Sequence, residues 1–530
     1  RSSAASDVYK RQVMNIIKIT YSASQGMPQI NPEAFDAVIK TSVVSEGDKL
    51  ALVVDSSVTY EFETPVTKIG ANAFFDFCIH KITLPDSVES IHPEAFYDIS
   101  EIESKLVVDD MLIQDNVLIK YLGDGYEEVV IPEGIVEIAP RACKILPAKK
   151  LALPAKLKVI GNEAFLDCFN LTSIKFPRGL EKIGDKAFAR TLLGTVTIPD
   201  TVKSIGTKTF AGCKKLKKIK LGKGLETIGE GAFAQCSLVA KTEGKFTEDN
   251  TIVVGDTLVA VFGEREEFTV PEAVTRIGNW AFSSSSDRKF DKRPLGPKEI
   301  TLHGGVKRIG DYAFSGTRLM KLYIPESVEA IGANPILATP CASVEGKFTF
   351  ENRAIICGDR FCAHVKRADC YAIPEGIAEL GDDAFNGVSL PDVTVTLPKS
   401  VKRIGKRCFA AIPHVLSFIQ SIVLNEGLEI IDDMAFKERV GLTSLVFPST
   451  LQQLGDKVIT HTTYEELTSI TFLGLPPSNL LNSLSHKFVL QKRFKGVVKV
   501  PAESLEAYKA LLPVLLQPTS AYPDGRILSL

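Results

Sequence analysis

The chain has 530 residues, more than one compact core usually holds, so several domains or an open-ended repeat array are expected. A formal net charge of −2 at pH 7 and a pI near 6.5 argue against a nucleic-acid-binding protein. No apolar run reaches the roughly 18 residues of a transmembrane helix, so membrane insertion is not expected either.

The first residues, 1–12, read RSSAASDVYKRQ and lack the apolar centre of a secretion signal. We interpret them as a non-native leader, and we expect the natural start, with any signal peptide, to be missing. The next segment, 13–62, is predicted to be an N-terminal cap or a degenerate repeat. It contains INPEAF at Ile30, a weak copy of a motif that recurs throughout the rest of the chain.

One motif dominates residues 63–475, and IGDKAF at Ile183 is a clear example of it. The motif occurs 14 times, mostly at intervals of 22 to 24 residues. Self-similarity at such a period is typical of solenoids. Its copies begin at Ile69, Ile91, Ile138, Ile160, Ile183, Ile205, Ile228, Ile277, Ile309, Ile331, Leu380, Ile404, Ile431 and Leu454.

A whole repeat reads L-x-x-I-x-[LIF]-P-x-x-[VL]-x-x-I-G-x-x-A-F. The alternating apolar residues before the Pro predict a strand with one face inward, and the Pro ends that strand. The V-x-x-I segment is expected to direct a second set of apolar side chains toward the core. The Gly predicts a turn with unusual φ. The Phe fills the centre. One such coil cannot bury its apolar side alone, so the coils are expected to stack.

Three intervals are about twice as long as the others, at 47 or 49 residues. The segments that fill them lie near 106–137, 246–276 and 348–379, and they resemble one another. Each alternates apolar and polar residues around a Gly, Asp or Asn turn, which is the pattern of a β-hairpin. The array is therefore predicted to contain three hairpin units.

These repeats resemble the BspA-type leucine-rich repeats, a family found mainly among bacterial and protozoan surface proteins. The resemblance covers about 67–512 and includes VKVPAESLEAYKALLP, which looks like the family's C-terminal strand–helix cap; 476–530 is assigned to cap and tail. It implies a repeat solenoid, a β-rich leucine-rich-repeat coil stack with parallel sheets and short helical turns. Cys143 stands where most copies have Phe, and a softer coil is expected there.

No catalytic or cofactor motif occurs in the chain, so neither an enzyme nor a bound cofactor is expected. Acidic residues follow the motif Gly in several copies, as at Asp185, Asp311 and Asp382. A row of carboxylates suggests catalysis or calcium binding. The favoured interpretation is a solvated turn position that suits Asp.

One cluster has the residue types of a zinc site. In the second hairpin unit, however, the positions that correspond to Cys357 and Cys362 of this cluster hold Val254 and Val259. The Cys residues are therefore interpreted as small hydrophobes, and no metal is expected. The cluster comprises Cys357, Cys362, His364 and Cys370.

Two further patterns leave alternatives open. Cys213 and Cys236 fall in neighbouring coils, so a disulfide between them is conceivable, although free buried thiols are favoured. Asn170 begins the glycosylation sequon Asn-Leu-Thr, but it falls in a predicted strand, and a chance match is favoured.

A binding site on a solenoid is expected on a surface that the coils repeat. The outward positions of the predicted strands are rich in Thr, Ser and Lys, which a solvated sheet face also needs. The alternative is a partner-binding face that is basic around 214–223. Its candidate residues are Lys175, Lys217, Lys218, Lys220, Lys321 and Tyr323.

The leading functional hypothesis is a non-enzymatic, protein- or glycan-binding solenoid that resembles BspA-type cell-surface adhesion proteins. It places the chain at the cell surface or outside the cell. The alternatives are a cytoplasmic scaffold of the same fold and, with less support, an enzyme whose site lies in the hairpin units.

Overall fold

The computed structural model divides the chain into two compact units, Arg1–Val254 and Gly255–Leu530. In both units the chain runs in successive coils, each of which contributes one strand to a first ladder and one to a second ladder. The structure describes residues 16–22, 31–35, 37, 39–46, 55–74, 79–96, 99, 101–236, 239–263, 265–283, 296–337, 339–351, 354–364, 373–386, 390–410, 419–437, 442–459, 467–480, 496–512 and 526–530.

The first ladder consists of the strands that precede the motif Pro, and these strands pair in parallel in successive groups of two to four. Register is kept from coil to coil: Thr195 pairs with Lys218, and Lys218 with Lys241. In the first unit its strands are Ile79–Thr83, Glu101–Glu103, Glu128–Val130, Lys150–Ala152, Ser173–Ile174, Thr195–Thr197, Lys218–Leu221 and Lys241–Gly244. In the second they are Glu267–Thr269, Glu299–Thr301, Lys321–Ile324, Ser343–Gly346, Leu390–Thr396, Ile419–Val423, Ser444–Phe447, Ser469–Phe472, Val497–Val500 and Ile527–Ser529.

The second ladder consists of two-residue strands that end in the motif Ile or Leu. Ile160 pairs with Ile183, and Ile183 with Ile205, again in parallel. The first unit contributes Lys68–Ile69, Ser90–Ile91, Glu137–Ile138, Val159–Ile160, Lys182–Ile183, Ser204–Ile205 and Thr227–Ile228. The second contributes Arg276–Ile277, Arg308–Ile309, Ala330–Ile331, Glu379–Leu380, Arg403–Ile404, Ile430–Ile431 and Gln453–Leu454.

The long intervals contain antiparallel strands, as the alternating pattern predicts. In the first and third hairpin units the last strand pairs in parallel with the next strand of the second ladder. A hairpin unit therefore replaces one motif turn without breaking the coil stack that follows it. The strands are Val107–Val108, Met111–Gln114 and Val117–Tyr121; Thr247–Glu248, Thr251–Val254 and Thr257–Val261; and Thr349–Phe350, Ala354–Cys357 and Arg360–His364.

Each end of the chain carries a distinct element. At the start, strands Ile16–Ser22, Ile39–Glu46 and Asp55–Phe62 form an antiparallel sheet that joins the first ladder at Ile79–Thr83. At the end, a 3₁₀ turn at Ala502–Ser504 leads into an α-helix, Leu505–Leu511. This confirms the predicted strand–helix cap.

The INPEAF segment of the N-terminal region packs onto the first coil. It forms the 3₁₀ turn Pro32–Ala34, and Phe35 lies edge-on to Phe74 with ring centroids 5.6 Å apart. No membrane-spanning helix is found in the part of the chain that the structure describes.

In the coils that have the motif Phe, the Phe rings form columns in the core and stack on one another. Phe165, Phe188, Phe210 and Phe233 follow at centroid distances of 5.1, 5.7 and 5.5 Å, with rings within 13° of parallel. In the second unit Phe385, Phe409 and Phe436 repeat the arrangement at 5.1 and 5.8 Å. Large buried aromatic side chains contribute much of the apolar burial of a core. The predicted role of the Phe is confirmed.

The motif Gly does not serve the purpose that the sequence predicts, because its φ is not positive at Gly184 or Gly206. A Cβ on Gly184 would lie 2.7 Å from the backbone nitrogen of Asn162, in the preceding coil. Gly is needed there because two backbones approach closely. The left-handed residue comes two positions later, as at Lys186 with φ 52°, whose N–H donates to the carbonyl of Thr207 at 2.8 Å.

Replacing Gly184 with Ala tests this close approach. The new methyl group would meet backbone atoms of the preceding coil, which is hydrogen-bonded to the coil of Gly184 and cannot move away freely. The free energy of unfolding should therefore fall by about 1–3 kcal/mol. Urea unfolding followed by circular dichroism measures the change.

Gly194→Ala is the matched control, because a Cβ on Gly194 has no atom within 4 Å and φ there is not positive. It should change the free energy of unfolding by less than about 0.5 kcal/mol. Equal losses for Gly184→Ala and Gly194→Ala would contradict the proposed role of Gly184.

Candidate interaction surface

Four of the predicted site residues lie in the first unit and form what we call the basic face: Lys175, Lys217, Lys218 and Lys220. Lys218 and Lys220 alternate with the buried Ile219 and Leu221, so strand pleating directs both ammonium groups outward. Lys175 lies two coils earlier, about 10 Å away along the ladder at the usual strand spacing.

The charge of the basic face is partly neutralised. Glu243, on the adjoining strand, lies 2.7 Å from Lys241 and 3.4 Å from Lys218. The hydrogen bond from Lys241, and then that from Lys218, lower the pKa of the Glu243 carboxyl, so it stays ionised at neutral pH. Among the described residues no acidic side chain pairs with Lys175, Lys217 or Lys220. These three exposed charges are therefore available to a partner.

The remaining two predicted site residues belong to the second unit. Strand Lys321–Ile324 buries Leu322 and Ile324 and turns Lys321 and Tyr323 outward. Lys321 forms an ion pair with Glu345 at 2.8 Å, whereas the Tyr323 ring is 54% exposed. The sequence thus places both correctly on an outward face, and Tyr323 is the larger apolar contact that they offer.

The acidic residues after the motif Gly connect neighbouring coils. Asn162 Oδ1 accepts the N–H of Asp185 at 2.8 Å, and Asp185 Oδ1 accepts the N–H of Thr207 at 2.7 Å. In the second unit Asp311 and Asp382 accept the N–H of Ala333 and Lys406 in the same way. The carboxylates hold the stack together, a role beyond the solvated turn that the sequence suggests.

Sulfur atoms also connect neighbouring coils. Cys213 and Cys236 are free thiols, as the sequence favours, and each donates to the carbonyl of a Phe in the preceding coil, Phe188 and Phe210, at 3.2 and 3.1 Å. Thr191 occupies the same position after its Phe and donates to the Phe188 carbonyl at 3.0 Å. The position therefore selects a small side chain that can donate a hydrogen bond.

The zinc-type cluster is only partly described, since Cys370 lies outside the described residues. Cys362 is buried, and Cys357 lies on the neighbouring hairpin strand. Burial raises the pKa of the Cys362 thiol to about 11, so it stays protonated. No group of three potential metal ligands is found among the described residues. The hydrophobe interpretation of Cys362 stays a prediction.

Asn170 does not lie in a strand, contrary to the sequence prediction. The strand of its coil begins at Ser173, and Asn170 is exposed on the turn before it. Its amide nitrogen donates to the carbonyl of Pro147 at 3.1 Å. The short period-two pattern predicts the strand, but it does not locate where the strand begins.

One buried polar cluster, in the second unit, is not predicted from the sequence. Asp383, with its side chain 1% exposed, accepts hydrogen bonds from Arg407, Tyr312 and Asn386, and Arg407 Nε lies 3.0 Å from it. The side-chain amide of Asn334 donates to the Asp383 carbonyl at 2.6 Å. A buried carboxylate suggests catalysis, but the partners here occupy both of its oxygens, so the cluster is structural.

The cluster joins coils on either side of the third hairpin unit. Tyr312, Asn334, Asp383 and Arg407 all occupy the third position after their motif Ile or Leu. Burial, and then the charge of Asp383, raise the pKa of the Tyr312 phenol, so its hydroxyl remains a donor. The sequence does contain a signal for the pairing of Asp383 with Arg407, because the two residues carry opposite charges at the same position of neighbouring copies.

Coils of this period, with two parallel ladders and an apolar interior in each unit, define a β-rich repeat solenoid. A family model described as BspA type leucine rich repeat region (6 copies) matches the chain at residues 54–144, 136–253, 262–337, 295–412 and 356–475. These matches cover more than half of the chain, which therefore belongs to this family and is a repeat protein involved in interaction.

Among solved structures, the chain is similar to several proteins from bacteria. A leucine rich cell surface protein from Faecalibacterium prausnitzii is 19% identical, over 79% of this chain and 92% of that one, with a TM-score of 0.37. The pneumococcal vaccine antigen PcpA is 17% identical, over 80% and 98%, with a TM-score of 0.34. A Bacteroides ovatus leucine-rich repeat protein is 20% identical, over 75% and 99%, with a TM-score of 0.35. No curated protein matches the chain.

Replacing Asp383 with Ala tests the structural role of the buried cluster. The change leaves the half-buried Arg407 guanidinium without its counter-charge, so the free energy of unfolding should fall by about 2 kcal/mol, less than for a fully buried pair. Chemical unfolding of the whole chain measures it.

Glu329→Ala provides the comparison, because Glu329 pairs with Lys307 at 3.3 Å on an exposed surface. Such a pair contributes less than about 1 kcal/mol. If Asp383→Ala lost no more stability than Glu329→Ala, the cluster would not be structural.

Proposed function

We propose that the chain is a non-enzymatic, cell-surface solenoid that binds a protein partner through the basic face. The observation that carries the proposal is the set of three exposed lysines, Lys175, Lys217 and Lys220, which have no acidic partner among the described residues. Family resemblance supports the surface location, because members are found mainly among surface proteins.

The chemistry of the face favours an acidic protein surface over a neutral glycan. From Thr172 to Glu243 the outward side chains of the described strands are Thr, Ser, Lys and Glu, with no aromatic residue among them. A neutral sugar offers no charge for the lysines to recognise, whereas Asp and Glu side chains do. Opposite charges across an interface increase the association rate and select the partner.

The thiols and the buried carboxylate support a non-enzymatic role. Burial raises the pKa of the Cys168 thiol to about 12 and that of Cys341 to about 11, so neither is a thiolate nucleophile at neutral pH. Asp383 is hydrogen-bonded to protein groups through both oxygens. A cytoplasmic scaffold that uses the same face is the second candidate.

A binding array of surface proteins and glycans, probed with the whole chain, tests the proposal. An acidic protein should bind, and binding should weaken as salt screens the lysines. In the double variant Lys217→Glu, Lys220→Glu, affinity should fall about tenfold or more, whereas Glu243→Gln should increase it, because Lys218 and Lys241 lose their counter-charge.

Lys203→Glu is the control, because Lys203 is exposed on the second-ladder side, where it pairs with Glu226 at 3.1 Å. It should leave affinity unchanged. Binding only to glycans, binding to nothing, or equal binding by the double variant would contradict the proposal. An antibody against the chain should also label intact cells; labelling only after lysis would support the scaffold.

A further inference from the structure

Two neighbouring coils of the second unit carry like-charged residues at paired positions of their first-ladder strands. Glu267 pairs with Glu299 in parallel, so the two Cα atoms lie about 4.8 Å apart. Each glutamate precedes a buried residue, Phe268 or Ile300, and both glutamates are exposed. We call Glu267 and Glu299 the glutamate pair.

The same two coils carry a second pair of like charges on their second-ladder strands. Arg276 pairs with Arg308 in parallel, and both residues are exposed. We call Arg276 and Arg308 the arginine pair. One coil supplies Glu267 and Arg276, and the next supplies Glu299 and Arg308, so the strand spacing sets the same separation within both pairs.

The fold does not require a charge at any of these four positions. In the first unit the residues equivalent to Glu267 include Ser173 and Thr195, and those equivalent to Arg276 include Ser204 and Thr227. Like charges at directly paired positions repel one another and destabilise a sheet. The four charges therefore need an explanation other than the stability of their coils.

The like-charged residues Lys218 and Lys241 show how the chain stabilises such a pair elsewhere. They occupy paired positions, and the carboxylate of Glu243 lies 3.4 Å from one ammonium group and 2.7 Å from the other. In the described part of the chain no ion pair reaches a member of the glutamate pair or of the arginine pair. Both pairs thus lack the bridge that Glu243 provides for the lysines.

The cations around the glutamate pair contact other groups. Glu266 lies 2.6 Å from the ammonium group of Lys298 and 3.2 Å from the guanidinium group of Arg318. Arg265 lies over an aromatic ring, with its guanidinium carbon 5.6 Å from the ring centroid. These three cations therefore do not bridge the glutamate pair.

The next residue along the first ladder is Lys321, which pairs with Glu345 at 2.8 Å. The surroundings of the glutamate pair are thus close to neutral overall. The feature that distinguishes this surface is two adjacent carboxylates without a bridge, a pattern that a partner recognises only at short range.

The charges around the arginine pair are also nearly balanced. Lys307, next to Arg308, pairs with Glu329 at 3.3 Å. The pKa of the Asp256 carboxyl is lowered first by the hydrogen bond of a threonine hydroxyl and, to a smaller extent, by the charge of Arg276. Asp256 therefore offsets part of the charge of Arg276, and no carboxylate of the described residues does the same for Arg308.

We propose that copies of this chain associate side by side, with the glutamate pair of one copy against the arginine pair of the next. The two pairs have opposite charge and the same spacing, so a second copy supplies both missing bridges at once. Arginine suits this contact because its guanidinium group binds a carboxylate through two parallel hydrogen bonds. The contact is separate from the basic face and involves no covalent step.

The two pairs lie on different ladders, so the contact joins different surfaces of the two copies. Such a heterologous contact leaves one unused pair at each end of an assembly, and further copies can therefore add to a dimer. Exposed ion pairs are individually weak, so association is expected only at high protein concentration.

Light scattering of the whole chain over a range of concentrations tests the proposal. The mean mass should rise above the 57.7 kDa of one chain and should continue past the mass of a dimer. Added salt should return the mean mass to that of one chain, because it screens exposed charges.

Charge reversal tests which residues make the contact. Glu267→Arg with Glu299→Arg gives a chain with two positive pairs, and Arg276→Glu with Arg308→Glu gives a chain with two negative pairs. Each variant alone should associate about tenfold more weakly or less, because the two surfaces then repel. An equimolar mixture of the two variants should associate as the unaltered chain does, and so should the variant with all four changes.

Glu89→Arg with Glu94→Arg is the matched control. It makes the same change in charge at two exposed residues of the first unit that belong to neither pair, and it should leave association unchanged. Circular dichroism checks that all variants fold. No reversed residue belongs to the basic face, so partner binding there is measured independently.

The proposal is wrong if the unaltered chain stays monomeric at every concentration. It is also wrong if either reversed variant alone associates as well as the unaltered chain, or if the mixture of the two stays monomeric. Growth that stops at a dimer would contradict it as well, because that result indicates contact between identical surfaces.

Discussion

The close backbone approach of successive coils is the constraint on which the rest of this structure depends. At the motif Gly the preceding coil lies so near that even a methyl group would meet its backbone atoms, as at Gly184 and Gly206. That approach lets one N–H of each coil bond to a carbonyl of the coil before it, at 2.8 Å from Gly184 to Ile160. It also brings the Phe rings into stacking contact.

A consequence of this stacking is that each side chain contacts the same position of the neighbouring copies. The Asp and Asn residues after the Gly form one such column, the thiols and Thr191 another, and exposed charges form others. Lys158 pairs with Glu181 at 2.6 Å, both two residues before their motif Ile. A solenoid of this kind is stabilised by nearest-neighbour terms, so a changed residue affects its own coil and the adjacent ones.

Much of this architecture could be predicted from the sequence, because a period states which residues are equivalent. The two ladders and the Ile and Phe core follow from the repeat, whereas the C-terminal helix follows from the resemblance of residues 498–513 to the family's cap. The period does not state how closely the coils approach one another. The sequence therefore predicts an unusual φ at the motif Gly, where the structure instead has a close approach of two backbones. Nor does it reveal contacts across a hairpin unit, such as Tyr312 with Asp383, since these join residues 71 positions apart.

The candidate sites also differ in how far they could be predicted from the sequence. The outward direction of Lys218 and Lys220 follows from strand alternation, and the structure adds that Glu243 neutralises part of the charge. The buried cluster at Asp383 is indicated in the sequence only by the opposite charges of Asp383 and Arg407 at one position of neighbouring copies. The structure adds Tyr312 and Asn386 as further hydrogen-bond donors to Asp383.

Disulfide trapping tests the central claim, that equivalent positions of neighbouring coils lie side by side in register. Thr195→Cys with Lys218→Cys places two thiols on paired residues, whose Cα atoms should be about 4.8 Å apart. Thr195→Cys with Lys220→Cys uses the same face but shifts by two residues, to about 8 Å, beyond disulfide reach. Mild oxidation should cross-link the first pair and not the second. Equal cross-linking of both pairs, or preferential cross-linking of the shifted pair, would contradict the account.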